Sequence, residues 1–332
     1  MQLRIKDSLR LVTTRIHYSF DLWTAPNHRA YLGTVGHWID ESNQLRTALL
    51  GLRRFKGAHS GENQAQCFWN IVCEYEVQHL IGKFTMDNAT NNDTALQFIR
   101  KHLEQIGITD FHPVQNRVRC FGHILNLCVK AFLWGYDVET IEREIGLGDD
   151  YQEDLVELLR WRRMGPLGRL HNILIYITRT PQRIDRFEER VRAHNPDETV
   201  FIPKIGNITR WSSDYESLER AFRLREPIND FITQSIGLNR DGERDNTEHA
   251  LKHDELTPDD WDELRIVMDI LEPFRRWTKL LQVKHANGCI ADILPAMDEL
   301  LSHLEQAKAQ YATRVGSHLV TMINNGWAIL DK

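Results

Sequence analysis

Residues 15–23 read RIHYSFDLW, and the turn-forming sequence TAPN follows at residues 24–27. β-branched and aromatic residues dominate the first of these stretches, which predicts a β-strand that ends at the turn. Two more strand-like stretches follow at residues 31–39 and 45–55, and the polar residues 40–43 between them suit a hairpin loop. The sequence therefore opens with a predicted three-stranded meander.

The pattern after the meander alternates between helix and strand. A helix is predicted to begin near Ser60, because serine with an acid close behind it suits a helix N-terminus. Short strands are predicted at residues 80–86 and 118–121, each followed by an apolar helix. The predicted order is therefore three strands, then a helix, a strand, a helix, a strand and a helix. This is the order of the ribonuclease-H fold, and it implies a mixed sheet. We therefore predict an α/β ribonuclease-H-like core in residues 1–135.

From residue 136 onward the strand signal disappears. Five stretches carry helical periodicity, and they lie at residues 155–161, 181–191, 215–233, 261–281 and 290–310. Predicted loops separate them at Gly165-Pro166, at residues 193–197 and in an acidic stretch at residues 237–257. We predict that residues 136–332 form a large all-α insertion domain.

Composition and charge exclude some classes of protein. The 332 residues contain no apolar run of eighteen, so no membrane span is predicted, and five scattered cysteines argue against a disulfide framework. The net charge of −6 is unevenly spread. Residues 1–56 hold nine Lys/Arg against four acids, and residues 162–186 hold six arginines against Asp185 alone. These stretches predict either local phosphate-binding surface or an ordinary solvated face.

Two aspartates stand at the ends of predicted strands. Asp21 ends the first strand and Asp87 ends the fourth. These strands are neighbours in a ribonuclease-H sheet, so both carboxylates should meet at one edge. Paired carboxylates can hold Mg²⁺ or Mn²⁺ for phosphoryl transfer. The alternative is that both are turn residues, since Asp87-Asn88 is a good turn by itself.

Two further short segments carry candidate residues. Cys120 and His123 resemble half of a zinc site, although packing is the alternative because four ligands are needed. In the second segment, Trp211 beside Arg210 can stack an unpaired base and grip its phosphate. Its alternative is an ordinary core tryptophan.

Several segments together resemble the hAT family of DNA transposases. Residues 19–27 (SFDLWTAPN) resemble the family's first catalytic segment, and residues 85–92 (TMDNATNN) the second. Residues 119–127 (RCFGHILNL) resemble its Cys/Asp-x-x-His segment, and residues 209–213 (TRWSS) a later motif. Residues 165–172 (GPLGRLHN) are similar to fungal-type members. The resemblance covers nearly the whole chain.

The resemblance implies roles that spacing alone does not show. Asp21 and Asp87 would be two metal ligands of a catalytic triad, with Mg²⁺ or Mn²⁺ as cofactor. His123, with Cys120, would lie beside the scissile phosphate and position it without binding zinc.

The same resemblance implies DNA contacts on the helical insertion and a reaction. Trp211 would stack a flipped base, which requires a partly exposed indole, and Arg210 would hold nearby backbone. The reaction would be cut-and-paste transposition with hairpin formation on flanking DNA. The implied partners are transposon-end and target DNA and, in the full-length protein, a second copy. The implied location is the nucleus.

Departures from the family leave several hypotheses open. The family's BED zinc finger, its third ligand (a glutamate) and its dimerisation region have no counterpart that we identify in residues 1–332. Without the third ligand, we expect no DNA cleavage by these residues alone. In the family, the helix that carries this glutamate covers the sheet, so we also expect one sheet face to expose apolar side chains. Three hypotheses remain open. The chain is a core fragment or decayed copy of a transposase, a domesticated DNA-binding or interaction protein, or another nuclease with the ribonuclease-H fold. The last would need a further carboxylate within residues 1–135.

Overall fold

The computed structural model describes most of the chain as two compact units, Met1–His123 and Ile124–Lys332. The described residues are 2–25, 27–135, 155–196, 199–206, 210–236, 251–282, 290–314 and 318–331. The first unit is a mixed α/β structure and the second is helical. The predicted fold class is therefore confirmed.

A five-stranded mixed sheet forms the first unit. Its strands are β1 (Ile16–Thr24), β2 (Ala30–Ile39), β3 (Leu45–Phe55), β4 (Ile81–Met86) and β5 (Arg117–Arg119). They lie in the order β3-β2-β1-β4-β5. β1 pairs antiparallel with β2 and parallel with β4, and β4 pairs parallel with β5. Because β1, β4 and β5 run in the same direction, their carboxyl ends meet at one edge of the sheet.

One face of this sheet carries the core. Alternate residues of β1 are buried, including Tyr18 and Phe20, because successive side chains of a strand point to opposite faces. Helices α2 (Gly61–Tyr75) and α3 (Thr90–Gln105) lie in this unit, and Phe68 of α2 packs its ring against Tyr18 and Phe84. Ser60 caps α2 by accepting a hydrogen bond from the backbone N–H of Asn63, as predicted for this helix start.

The opposite face of the sheet exposes apolar side chains. Leu45, Leu49 and Leu52 of β3 are 69%, 50% and 53% exposed, and Trp23 of β1 is 41% exposed. The expected exposed apolar face is present. The N-terminal helix α1 (Gln2–Leu9) was not predicted, because its mixture of charged and apolar residues gave no clear period.

The second unit is built from helices, and its described residues contain no β-strand. Helix α4 (Phe121–Trp134) leads into it from the first unit. The others are α5 (Leu155–Arg162), α6 (Gly165–Thr178), α7 (Pro181–His194), α8 (Trp211–Arg223), α9 (Arg225–Ser235), α10 (Pro258–Gln282), α11 (Ile290–Tyr311) and α12 (Leu319–Leu330). In the described part of the chain, no helix has the length and apolar character needed to cross a membrane.

Three details of the helical prediction are wrong. Gly165-Pro166 begins α6 and does not form a loop, since proline is well suited to the first turn of a helix. The single helix predicted at residues 215–233 breaks at Leu224, just before Pro227, which cannot donate a backbone hydrogen bond. Helix α12 was not predicted. Most of the predicted acidic loop, residues 237–250, lies outside the described residues.

Three of the six arginines in the stretch 162–186 make contacts within the fold. Arg162 forms an ion pair of 2.6 Å with Asp254, and Arg169 one of 2.5 Å with Asp260. Arg183 is buried, with its guanidinium 3.7 Å from the centre of the Tyr176 ring. These three arginines therefore hold helices together and are not available to bind phosphate. For these three arginines, neither alternative given by the sequence, a phosphate-binding surface or a solvated face, is correct.

Candidate active site

The two predicted carboxylates lie at the same edge of the sheet. Ser19 of β1 pairs with Thr85 of β4 in the parallel register. Asp21 stands two residues beyond Ser19, and Asp87 stands two residues beyond Thr85. Asp21 is exposed and Asp87 is half-buried. Asp87 directly follows β4, but Asp21 lies inside β1, three residues before that strand ends at Thr24, so the prediction that Asp21 ends its strand is wrong. The parallel register still puts both aspartates near the same end of the β1–β4 pair.

Hydrogen bonds within the loop that follows β4 orient the Asp87 carboxylate. Its Oδ1 accepts from the backbone N–H of Ala89 at 3.1 Å and from the side-chain amide of Asn92 at 2.5 Å. The same amide also donates to the backbone carbonyl of Asp87 at 3.3 Å. Among the described residues, Oδ2 accepts no hydrogen bond. One carboxylate oxygen is therefore fixed by the protein, and the other remains available to a ligand.

An arginine from the adjacent strand supports the same loop. Arg117 of β5 donates to the backbone carbonyls of Asp87 at 2.7 Å and of Ala89 at 3.5 Å, and it pairs with Asp93 of α3. Its side chain is only 5% exposed. Sequence reasoning missed both Arg117 and Asn92. Asn92 lies within the motif at residues 85–92, whereas nothing in the sequence marks Arg117.

Cys120 and His123 lie at this edge as well. The backbone N–H of Cys120 donates to the carbonyl of Met86 at 2.8 Å, which extends the β4–β5 pairing to the residue before Asp87. The backbone N–H of His123 donates to the Cys120 carbonyl at 3.1 Å, where α4 begins. In the described part of the chain, no three His, Cys, Asp or Glu side chains are grouped to hold a metal ion. The half zinc site therefore gains no further ligands there.

Trp211 is a core residue of the second unit. Its side chain is only 3% exposed. Its backbone N–H donates to the side-chain oxygen of Asn126 at 3.0 Å. Asn126 of α4 thus accepts a hydrogen bond from one of the first N–H groups of α8, which have no acceptor within their own helix. A fully buried indole cannot stack on a DNA base, so the expectation of a partly exposed Trp211 ring is wrong. Arg210, the residue before it, is exposed.

A buried ion pair makes a second link between α4 and α8. Lys130 of α4 lies 2.6 Å from the carboxylate of Asp214, and both side chains are almost completely buried. Burial raises the pKa of Asp214 to about 6, although Lys130 acts in the opposite direction. His171 is buried nearby, and its pKa is lowered to about 4 by burial and by Lys130. The segments that contain Asn126 and Trp211 are therefore joined by buried polar contacts.

Family models match both parts of the chain. The ZBED1 RNase-like domain matches residues 19–110, which include Asp21, Asp87 and the strands between them. The ZBED1 RNase-like helical domain matches residues 118–270, which include Cys120, His123 and helix α8. The two matched domains follow each other in the same order as the sheet and the helices of this chain.

Three curated proteins are similar to this chain. The putative transcriptional regulator tpeD of Talaromyces stipitatus is 24% identical over 89% of the chain. A putative AC transposase of Zea mays is 29% identical over 38%, and the zinc finger BED domain-containing protein 4 of Homo sapiens is 20% identical over 87%. The chain spans 32%, 16% and 21% of these relatives. From the two domain matches and these relatives, the chain belongs to the hAT family of transposase-like proteins.

Proposed function

We propose that the sheet edge formed by Asp21 and Asp87 is a divalent-cation site for phosphoryl transfer on DNA. The observation that carries this proposal is the parallel register of β1 and β4, in which Asp21 and Asp87 each stand two residues beyond the paired residues Ser19 and Thr85. The transposase named among the relatives supports the same reaction class. Transposon-end and target DNA are the proposed substrates, and the nucleus is the proposed location.

The donor atoms of this edge fit a hard divalent cation. Carboxylate oxygens are preferred by Mg²⁺ and Mn²⁺, whereas zinc favours nitrogen and sulfur ligands. Asp87 offers Oδ2 while its Oδ1 is held by Ala89 and Asn92. When bound, such ions stabilise the charge on the attacking and leaving oxygens of a phosphoryl transfer. Two carboxylates alone predict weak binding.

The other residues of the edge have proposed roles toward DNA. Cys120 and His123 follow β5 and begin α4, next to the Asp87 loop. We assign them to contact with the scissile phosphate, which keeps it close to the two carboxylates. Arg210 is exposed and is assigned to phosphate backbone contact. Trp211 has no proposed contact with DNA.

A second candidate is a DNA-binding protein that does not cleave DNA. The fungal relative with an alignment over 89% of this chain is named as a putative transcriptional regulator. Such a protein would keep the fold and the basic residue proposed to contact DNA, Arg210. Asp21 and Asp87 would serve only as turn residues.

Mn²⁺ titration by calorimetry tests the first candidate. We expect wild-type protein to bind Mn²⁺ weakly and both Asp21→Asn and Asp87→Asn to bind it more weakly still. Asp7→Asn is the matched control, because Asp7 is an exposed carboxylate of α1 in the same unit. Binding that is unchanged in both site variants would exclude a shared cation site.

A nicking assay on transposon-end DNA, with DNA affinity measured in the presence and absence of Mn²⁺, tests whether residues 1–332 form a complete site and whether Mn²⁺ affects DNA binding. Residues 1–332 alone are expected to bind this DNA without cutting it, because in-line transfer by a two-metal mechanism needs two cations held rigidly, and no third carboxylate ligand is identified in these residues. Mn²⁺-dependent nicking that is lost in Asp87→Asn would show that a further ligand completes the site. If the affinity for DNA is the same with and without Mn²⁺ in wild type and in both site variants, the result would favour the DNA-binding protein that does not cleave DNA.

A further inference from the structure

We propose that Asn92 and Arg117 are positioning residues that hold Asp87 in the orientation required to bind a divalent cation. This inference rests on the proposed function. Neither side chain is proposed to touch the cation or the DNA. Asn92 acts on the Asp87 carboxylate and backbone, and Arg117 acts through the loop that connects β4 to α3.

Asn92 fixes the carboxylate directly. Its amide donates to Oδ1 at 2.5 Å and to the backbone carbonyl of Asp87 at 3.3 Å, so side chain and main chain are held by one group. Asn92 is buried, at 7% exposure, and water therefore cannot easily replace it. The result is a carboxylate whose rotation is restricted and whose Oδ2 is directed away from the amide.

Arg117 fixes the loop from the other side. One terminal nitrogen donates to two backbone carbonyls, those of Asp87 and Ala89, while the other pairs with Asp93. The planar fork of the guanidinium makes these three contacts with two nitrogens. A lysine cannot reproduce them, because its ammonium group is a point charge at the end of a flexible side chain. The loop and the first turn of α3 are thereby tied to β5.

Because Arg117 is charged, the direction in which the Mn²⁺ affinity changes on its removal tests the inference. A buried guanidinium close to a cation site repels a cation, even when Asp93 partly neutralises it. Electrostatics alone therefore predicts that removing this charge strengthens cation binding. Loss of positioning predicts the reverse. The direction of the change decides between the two.

Mn²⁺ titration of the full chain provides the measurement. Residues that orient metal ligands typically change metal affinity by about 10–100-fold when they are removed. We expect a weakening at the lower end of this range, about 10-fold, in both Asn92→Ala and Arg117→Met. The matched controls are Asn91→Ala, whose amide bonds to the His59 carbonyl, and Arg100→Met, whose guanidinium pairs with Glu104. Both controls should bind Mn²⁺ like wild type.

A second substitution covers the case in which Arg117→Met does not fold, as judged by circular dichroism. Arg117→Lys keeps the charge and most of the volume, and we expect it to fold and to bind Mn²⁺ several-fold more weakly than wild type, because the fork is lost. Wild-type affinity in folded Arg117→Lys would overturn the role of the fork.

The outcomes separate this inference from the proposed function. If Asp87→Asn weakens Mn²⁺ binding but folded Asn92→Ala and Arg117→Met bind it as tightly as wild type or tighter, the cation site stands and the positioning role falls. If Asp87→Asn has no effect, both proposals fall together. Weaker binding in all three variants, with unchanged controls, supports both.

Discussion

Replacing Lys130 with methionine should strongly destabilise the helical unit. Lys130 and Asp214 form a buried pair of 2.6 Å between α4 and α8, and their side chains are 4% and 9% exposed. The substitution keeps much of the apolar stem but leaves the Asp214 carboxylate without its cation. Removing one partner of a buried pair costs about 3–5 kcal/mol, a large share of the roughly 5–15 kcal/mol that stabilises a typical domain.

The size of this loss should depend on pH. Burial raises the pKa of Asp214 in the folded chain to about 6, against 3.8 for an ordinary aspartate. A carboxyl whose pKa is raised by folding destabilises the protein above that pKa, and the penalty disappears as the carboxyl is protonated at lower pH. Without Lys130 the pKa rises further. The loss should therefore be complete at pH 8 and clearly smaller at pH 5.

Urea unfolding followed by tryptophan fluorescence measures these differences. Lys204→Met is the matched control, because the Lys204–Glu216 pair is about half exposed and should contribute less than about 1 kcal/mol. The double variant Lys130→Met/Asp214→Leu should recover most of the lost stability, since no unpaired charge remains. A loss below about 1 kcal/mol at pH 8 in Lys130→Met, or no recovery in the double variant, would refute the reasoning.

Three further predictions concern the same fold. Asn126→Ala should lower the unfolding free energy by about 1 kcal/mol, because the N–H of Trp211 loses its acceptor; an unchanged urea midpoint would contradict this. The pKa of His171 is about 4 in the folded chain against an ordinary value of 6.5, so its neutral form stabilises the fold above pH 6.5. That stability should be lost as pH falls from 6.5 to 4, by up to ~3 kcal/mol, and the difference in unfolding free energy between wild type and His171→Asn should follow this trend. A difference that does not vary with pH would exclude it. Sedimentation velocity should show self-association of wild type that decreases in Leu49→Lys/Leu52→Lys but persists in Leu294→Lys, whose exposed leucine lies on α11. Equal association in all three proteins would leave the sheet face without a role.

The sheet and the carboxylate edge could be predicted because their signals are local. Strand β3 was predicted with its observed ends, residues 45 and 55, and β1 to within one residue of its own. Chain order then fixes which strands neighbour each other in this topology. Asp87 directly follows β4 and Asp21 lies three residues before the end of β1, so their placement near one edge follows from strand order and the parallel register of β1 and β4. No side-chain detail was needed.

Side-chain burial and partner choice could not be read from the sequence. Trp211 stands beside an arginine in a polar segment, which is equally compatible with a DNA contact and with core packing. Its indole is buried, and its backbone N–H donates to Asn126 of α4, which lies 85 residues away in the chain. Arg117 is the first residue of the short strand β5, between Asn116 and Val118, and neither neighbour marks it. Its contacts with the Asp87 loop exist only because β5 pairs with β4.

The motif segments of this chain therefore contain residues of two physical kinds. At the sheet edge, Asp21 and Asp87 are the carboxylates that we propose bind a cation. Asn92, Asn126 and Trp211 instead use their polar groups or their bulk inside the protein, where they hold a loop or join two helices. A motif can be retained for either reason. A transposase-like protein without catalysis would still need the second kind to fold, so changes at Asp21 and Asp87 test its chemistry most directly.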